Sequence, residues 1–358
     1  MSEYDYGNAR LKAMKSRLLS RREIEALSET GSQTGLTAAL VRTAYRRPVE
    51  VALTRSTGMN CIYDALQNDL IDLMSKTRGF FQGQAYKMIS IVLGAYDIHN
   101  LKTIFRGLKR NAPAGEIIKI LLPIGDLDYS LLVEIARVPG SREAIDHLAS
   151  MNLPVAQPLL KLRSEHPGAD IFEIELALEK WRFQQAIDSV GGETEDENLL
   201  LSALMLDVDL TNLLTILRFV HAPTERRLLY QRLGNEQLQT LFVGPGRLPF
   251  SRLAKAGNQE FLQAALEVFQ DSTYDSILQV GMERYAISRR LSEFEKSFKL
   301  FRLNWLVQWI TKDPLGIGVF LGYLALKVNE ISNLHWIARG ISLGFDPAVL
   351  RAEMSFPG

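Results

Sequence analysis

Three acids in matching settings are the first candidates for chemistry in this sequence: Asp97, Asp209 and Glu330. Each opens the same pattern, an acid, two residues, Asn-Leu, and an arginine six residues after the asparagine. The segments carry Asp97, Asn100, Leu101 and Arg106, then Asp209, Asn212, Leu213 and Arg218, then Glu330, Asn333, Leu334 and Arg339. Carboxylates so placed could ligate a metal or a cationic substrate. They could equally sit in the first turn of a helix, accept backbone N–H groups and complement the helix dipole. The asparagines lie 112 and 121 residues apart, and duplication of one unit explains such an arrangement without a ligand. The arginine falls about 240° round the helical wheel from the asparagine, so the two share no face. The asparagines are expected to bond a neighbouring helix end, and the arginines to reach surface or inter-unit carboxylates. Alternatively, the arginines line a pseudo-threefold docking surface.

Other candidates are weaker. Gly316, Gly318 and Gly322 follow a G-x-G-x-x-x-G spacing, one residue too long for a dinucleotide fingerprint and with no strand before it. Small residues four apart more often permit close helix contact. There is no G-x-x-x-x-G-K-[ST] and no H-E-x-x-H. The histidines at 99, 147, 166, 221 and 335 are not at metal-ligand spacing. Cys61 is the only cysteine, in an apolar-leaning helix start, and is expected to be a core thiol. With one cysteine there is no intramolecular disulfide and no multi-cysteine metal site, which fits a reducing compartment. No catalytic, cofactor-binding or metal residue is therefore assigned, and no cofactor is expected.

The elements that must position these residues are helices. Leu66, Leu70, Leu73 and Met74 recur along one helix face, as do Ile174, Leu178 and Trp181. Strand-like alternation and hairpin dipeptides are scarce. The fold class is all-α. Further markers repeat in register: Gly125, Leu127, Ser130 and Leu132 match Gly246, Leu248, Ser251 and Leu253, 121 residues on. Leu19 and Ile24 hold the corresponding places near the start, and Phe172-Glu173 matches Phe294-Glu295. Three diverged helical units follow, 1–112, 113–222 and 223–358. Each should hold a short helix after the Gly-x-Leu turn, one or two long amphipathic helices, a glycine-spotted apolar helix and the closing Asp/Glu-x-x-Asn-Leu helix. Joints fall near Asn111-Ala112-Pro113 and His221-Ala222-Pro223. Gly191 to Glu197 is an acidic, glycine-led loop within the second unit.

Composition bounds the function. Of 358 residues, 47% are hydrophobic and 23% charged, with 41 basic and 41 acidic residues and a formal net charge of zero. Zero net charge argues against binding nucleic acid by bulk electrostatics. Met1 to Arg10 has no apolar run, so no secretory signal is expected. No apolar run reaches the length of a span; the nearest, Pro314 to Leu326, is short and broken by glycines, so no transmembrane segment is expected. Arg10, Lys12, Lys15, Arg17, Arg21 and Arg22 form a basic stretch, read either as a solvated face or as a contact for an acidic partner or anionic headgroups.

Three stretches together resemble one family. Tyr4 to Leu19, with Tyr4 and Tyr6 flanking one residue, Asn8-Ala9-Arg10, Met14-Lys15-Ser16 and Leu18-Leu19, resembles the N-terminus of the C subunit of V-type and archaeal-type (V/A-type) rotary ATPases, the homologue of the eukaryotic V-ATPase d subunit. Tyr96 to Ile104 resembles that family's aromatic-Asp-x-x-Asn-Leu-Lys-Thr segment. Pro314 to Gly318 and Lys327 to Gly340 resemble its C-terminal signature. The chain departs from the pattern in the 193–197 loop, across 284–290 and at Val328, where an acid is common.

The resemblance implies three units arranged pseudo-threefold as a funnel. It implies a non-catalytic rotor subunit on the cytoplasmic face of the membrane, peripheral to it. Its socket would take the central-stalk shaft subunits of the D and F type, and its base would sit on the membrane proteolipid ring (c, K or L type). ATP synthesis or hydrolysis would thereby be coupled to H⁺ or Na⁺ transport. The rival readings are an open helical-repeat scaffold for protein–protein interaction and an enzyme with convergent titratable groups in one pocket. A closed or open arrangement of the units separates the first of these from the rotary reading.

Overall fold

The computed structural model describes residues 3–222, 224, 227, 228 and 238–358. The described residues are helical with no strand; the all-α expectation holds. Pro223, part of the second expected joint, lies outside them. Packing divides the chain into two compact units, a central one, Ile91–Arg302, and a terminal one, Met1–Ser90 with Leu303–Gly358. The boundaries fall inside the helices Gly83–Leu93 and Ser292–Val307.

The central unit is organised by three long helices, Ala95–Lys109, Ile171–Asp188 and Glu195–His221. The last runs for 27 residues, with neither glycine nor proline. Its start explains the acidic loop. The Thr194 hydroxyl accepts the Glu197 N–H, while the Glu197 carboxylate accepts those of Glu193 and Thr194. This capping box sits at the positive end of the dipole, and Arg218 and His221 lie at the negative end. Asp170 and Glu173 build the same box for Ile171–Asp188. Short helices Tyr129–Ala136, Ser141–Ser150 and Ala156–Glu165 cover the flank. Their core faces place Leu132, Ala144, Leu148 and Leu159 against Ile98, Leu101 and Phe105.

The terminal unit is built around Gly318–Ser342, which packs against Asp5–Lys15 and Met59–Arg78. Tyr4, Phe81 and Phe320 meet edge to face at centroid distances of 5.9 and 6.2 Å. The glycine run has the packing role read from its spacing. A Cβ on Gly318 would lie 2.8 Å from the Trp309 carbonyl oxygen, and one on Gly322 would overlap Ile310 and lie 3.0 Å from the Leu306 carbonyl oxygen. Cys61 is buried, its thiol facing the Val49 carbonyl, and burial pushes its pKa up.

Three expectations need correction. Two to three short helices, not one, follow each opening turn: Tyr129–Ala136 is joined by two more, and Arg21–Ser28 by Gln33–Leu40 and Arg46–Leu53. The glycine-spotted apolar helix and the closing helix are one element in Gly318–Ser342, and Glu195–His221 is likewise unbroken. Only in the first repeat is there a seam, at Gly94, which itself keeps helical dihedrals (φ −58°, ψ −17°). Finally, among the described residues one helix is long and apolar enough to cross a membrane. It is Glu195–His221, with mean hydropathy 1.7, not the 314–326 run, which begins in a turn. Of its most apolar window 61% is buried inside the protein, as befits the core helix of the central unit.

The close approach at Gly322 carries a test. Gly322→Ala should destabilise the protein by about 1–3 kcal/mol through overpacking, read as a lower urea midpoint. Gly115→Ala, in a helix and with nothing near its Cβ direction, should be neutral or stabilising by up to about 1 kcal/mol.

Candidate functional site

The three acids of the repeated pattern do one job, though not the one expected. Asp97 accepts the backbone N–H groups of Asp126 at 2.8 Å and Leu127 at 3.0 Å. Asp209 accepts those of Arg247 at 3.2 Å and Leu248 at 3.1 Å. Glu330 accepts that of Leu19 at 2.5 Å. Leu127, Leu248 and Leu19 are the residues that the repeat alignment equates. Each acid therefore grips the opening turn of the next repeat, and the third grips that of the first. The helix-cap reading is corrected: Asp209 and Glu330 lie in the middle of long helices, and Asp97, although in a first turn, gives its carboxylate to a distant loop. A buried carboxylate without donors is costly, so the loop's free N–H groups and the acid satisfy each other.

The asparagines make a second contact of fixed form. Asn100 accepts the Leu122 N–H and donates to the Leu122 carbonyl, both at 2.7 Å. Asn212 does the same with Val243 at 2.9 and 2.8 Å, and Asn333 with Ser355 at 3.1 and 2.9 Å. In each case the clamped residue lies two or three positions beyond a short helix, Ala114–Lys119, Leu238–Leu241 or Pro347–Glu353. The expectation that the asparagines bond a helix end thus describes them well. The arginines diverge. Arg106 forms a two-pronged pair with Glu175 at 2.5 and 2.7 Å, and Arg218 reaches Glu295 at 2.9 Å. Arg339 is exposed and pairs with no acid among the described residues. The Phe172-Glu173 and Phe294-Glu295 match carries no shared role, since Glu173 caps its own helix while Glu295 holds Arg218.

The acids recruit partners that the sequence reading missed. The Tyr274 hydroxyl donates to Asp209 at 2.7 Å, and the Tyr45 hydroxyl to Glu330 at 2.7 Å. Both tyrosines stand 26 residues after their aligned leucines, Leu248 and Leu19, a spacing that would have revealed them. The equivalent position near Asp97 is Leu153, which offers no hydroxyl. Glu330 adds Lys327, whose ammonium lies 3.0 Å from it, 2.8 Å from the Tyr45 hydroxyl and 2.8 Å from Asp69. Glycine explains why the first two acids are aspartates. A Cβ at Gly125 would collide with Asp97, and one at Gly246 with Asp209. The residue aligned with these glycines in the first repeat is Arg17; there the acid is a glutamate, one methylene longer.

Protonation follows the surroundings. Burial raises the Asp209 pKa, outweighing its three hydrogen bonds. Burial, with Asp209 beside it, raises that of Tyr274, and burial with Glu330 and Asp69 raises that of Tyr45. Burial also lowers the basicity of His99 and His335. His147 faces Glu134 and His221 faces Tyr285. Among the described residues no three His, Cys, Asp or Glu side chains gather as a metal site. The three acids hold backbone in place, and Asp209 and Glu330 also meet the two tyrosines and Lys327.

The family model for the ATP synthase (C/AC39) subunit matches residues 7–353. The chain belongs to that family. Its relatives include proteins named as the C subunit of A-type ATP synthase. That of Methanosarcina acetivorans is 26% identical, across 99% of this chain and 93% of its own. That of Methanocaldococcus jannaschii is 24% identical across 98% and 86%, and that of Haloferax volcanii 22% identical across 99% and 97%. The likeness runs nearly the whole length of the chain, so all three acid joints fall within it.

Asn212 is a more deeply buried clamp than Asn333, and both of its bonds lie in the interior. Asn212→Ala leaves both backbone groups of Val243 unpaired and should cost about 2–4 kcal/mol, more than the same change at Asn100 or Asn333, measured by urea unfolding. The Asp209 carboxyl holds its proton to higher pH when folded than when unfolded. Its contribution to stability is therefore full below the unfolded value of about 3.9 and declines as pH rises through that value to the folded one. The stability of the native protein relative to Asp209→Asn should fall over that interval; a rise, or a flat difference, would contradict the assignment.

Proposed function

We propose that this chain is a non-catalytic central-stalk subunit of a membrane-associated V/A-type rotary ATPase. It would be a peripheral rotor part on the cytoplasmic face that seats the shaft subunits of the D and F type on the proteolipid ring. In that role it couples ATP synthesis or hydrolysis to H⁺ or Na⁺ transport. The three repeats, 1–112, 113–222 and 223–358, would form a funnel with pseudo-threefold symmetry. The single observation that carries this reading is the order of the acid joints. Asp97 takes the turn at 126–127, Asp209 the turn at 247–248, and Glu330 the turn at 19. Such an order returns to its start after three steps. It favours a closed assembly over an open solenoid, whose last repeat would grip nothing of the first.

A torque coupler needs stiffness and two separate docking surfaces, not a reactive group. Both the acid joints and the asparagine clamps tie turns to helices through short side chains, which resists shear better than apolar contact alone. Membership in the ATP synthase (C/AC39) family, with relatives named as the C subunit of A-type ATP synthase, supports the placement in such a complex. The positions Arg106, Arg218 and Arg339 would lie on equivalent walls.

Deleting the chain from its complex should leave ATP hydrolysis by the soluble head while abolishing ion pumping, measured in membrane vesicles with an ion-sensitive dye. Pumping at the normal ratio to hydrolysis would overturn the coupling role. The purified chain should hydrolyse no ATP; activity that survives further purification and tracks the protein would overturn its non-catalytic assignment.

A further inference from the structure

The joint at Glu330 differs from the other two in a way its clamp does not require. Arg17 stands where the other turns carry Gly125 and Gly246, and beside it the terminal unit opens a pocket of about 450 Å³. Lys327 and Asp69 line the pocket, and the Lys327 ammonium is shared between Asp69 at 2.8 Å and Glu330 at 3.0 Å. Arg10, Arg17 and Lys76 also line it, and none of the three has an ion-pair partner among the described residues. Three like charges face one hollow, and an anion placed there turns their mutual repulsion into attraction.

The other wall is apolar and aromatic. Phe80 lines it, with the Arg10 guanidinium 5.4 Å from its ring centroid, beside Met14 and Leu73. Tyr323 adds a polar group, its hydroxyl, to the pocket. It lines the pocket and is otherwise buried, only 2% exposed. Burial and the nearby carboxylates Asp69 and Glu330 keep that hydroxyl protonated, and so a donor, throughout the physiological range. The volume lies in the range of small-molecule sites. A ligand that fits must carry at least two negative charges for the three free cations, and a flat or apolar part for the Phe80 wall.

We propose that this pocket binds a soluble organic polyphosphate of nucleotide size. The phosphates lie against Arg17, Lys76 and the Tyr323 hydroxyl, and the organic part lies on Phe80. The site is independent of the rotor role, because the isolated full-length chain should show it. No nucleophile or base is required of it; the function is binding without turnover.

The test is titration calorimetry of the full chain with ATP, ADP, AMP and inorganic pyrophosphate, beside an oligoglutamate peptide and vesicles of phosphatidylcholine with phosphatidylserine. ATP and ADP should bind, AMP more weakly for want of charge, and pyrophosphate more weakly than ADP for want of the aromatic contact. Arg17→Glu with Lys76→Glu should weaken ATP binding by about tenfold or more, while Arg22→Glu, on the same basic stretch but outside the pocket, should not. The altered side chains are exposed, and thermal melting checks that the variants remain folded; Arg17→Gln with Lys76→Gln serves if the reversal does not. No binding of ATP at millimolar concentration, binding undiminished by either double variant, or binding only to the peptide or only to the vesicles would each overturn the proposal.

Discussion

The structure depends on one exchange: a helix carboxylate, buried at Asp209 and Glu330 and partly buried at Asp97, against the N–H groups of a turn. Neither side is stable alone. An ionised acid stripped of water and donors costs several kcal/mol, and buried amides without acceptors cost about 1–3 kcal/mol each. Brought together they satisfy each other and define one register, because a turn displaced by a residue presents different amides. Apolar packing sets how closely the helices approach, while the acid decides which turn lies opposite. That division of labour recurs at Asp97, Asp209 and Glu330, and the asparagine clamps one helical turn later repeat it with neutral groups.

Variation among the three joints shows what the exchange tolerates. Two joints combine glycine with aspartate, and the glycine has no Cβ to strike the carboxylate. The third has arginine and glutamate, the extra methylene making up the stand-off of a turn that carries a side chain. Tyrosine strengthens two joints and is replaced by leucine near the other. A joint therefore needs an acid of the right length and free amides; the phenol and the ammonium are additions. The same logic separates Arg106 and Arg218, which pair, from Arg339, which does not among the described residues: the arginines belong to the repeat but not to its mechanism of closure.

Much of this was legible in the sequence, because repetition turns one pattern into three independent sightings. The all-α class, the acid–asparagine–arginine register and the equivalence of Leu19, Leu127 and Leu248 came from residues alone, and so did the family resemblance. The role of the acids did not. An acid near an expected helix start resembles a cap, and nothing local distinguishes it from an acid inside a helix that grips a turn 29 to 39 residues away. Seeing the role required that Glu195–His221 and Gly318–Ser342 each run unbroken, which their lack of proline permits but the polar residues of both and the glycines of the second obscure. Tyr45 and Tyr274 were hidden because their spacing appears in only two of three repeats. Lys327, Asp69 and the pocket beside them occur once, so repetition gave no help there.

Chain connectivity explains why the third joint is the most elaborate. The first two join residues 29 to 39 positions apart, the third residues 311 apart. A tenfold longer loop adds about 2 kcal/mol of closure entropy, before any gain from segments already folded. The third joint receives the Leu19 N–H alone, where each of the others receives at least two. It adds the Lys327 ammonium, beside a Tyr45 hydroxyl that matches Tyr274 at Asp209; a hydrogen bond to a charged group contributes about 1.5–3 kcal/mol. The added ammonium is thus of the same order as the added closure cost. It also brings charge to that joint, and with Arg17 in place of glycine the same substitutions that let the chain's two ends meet leave a cationic pocket beside the place where they do.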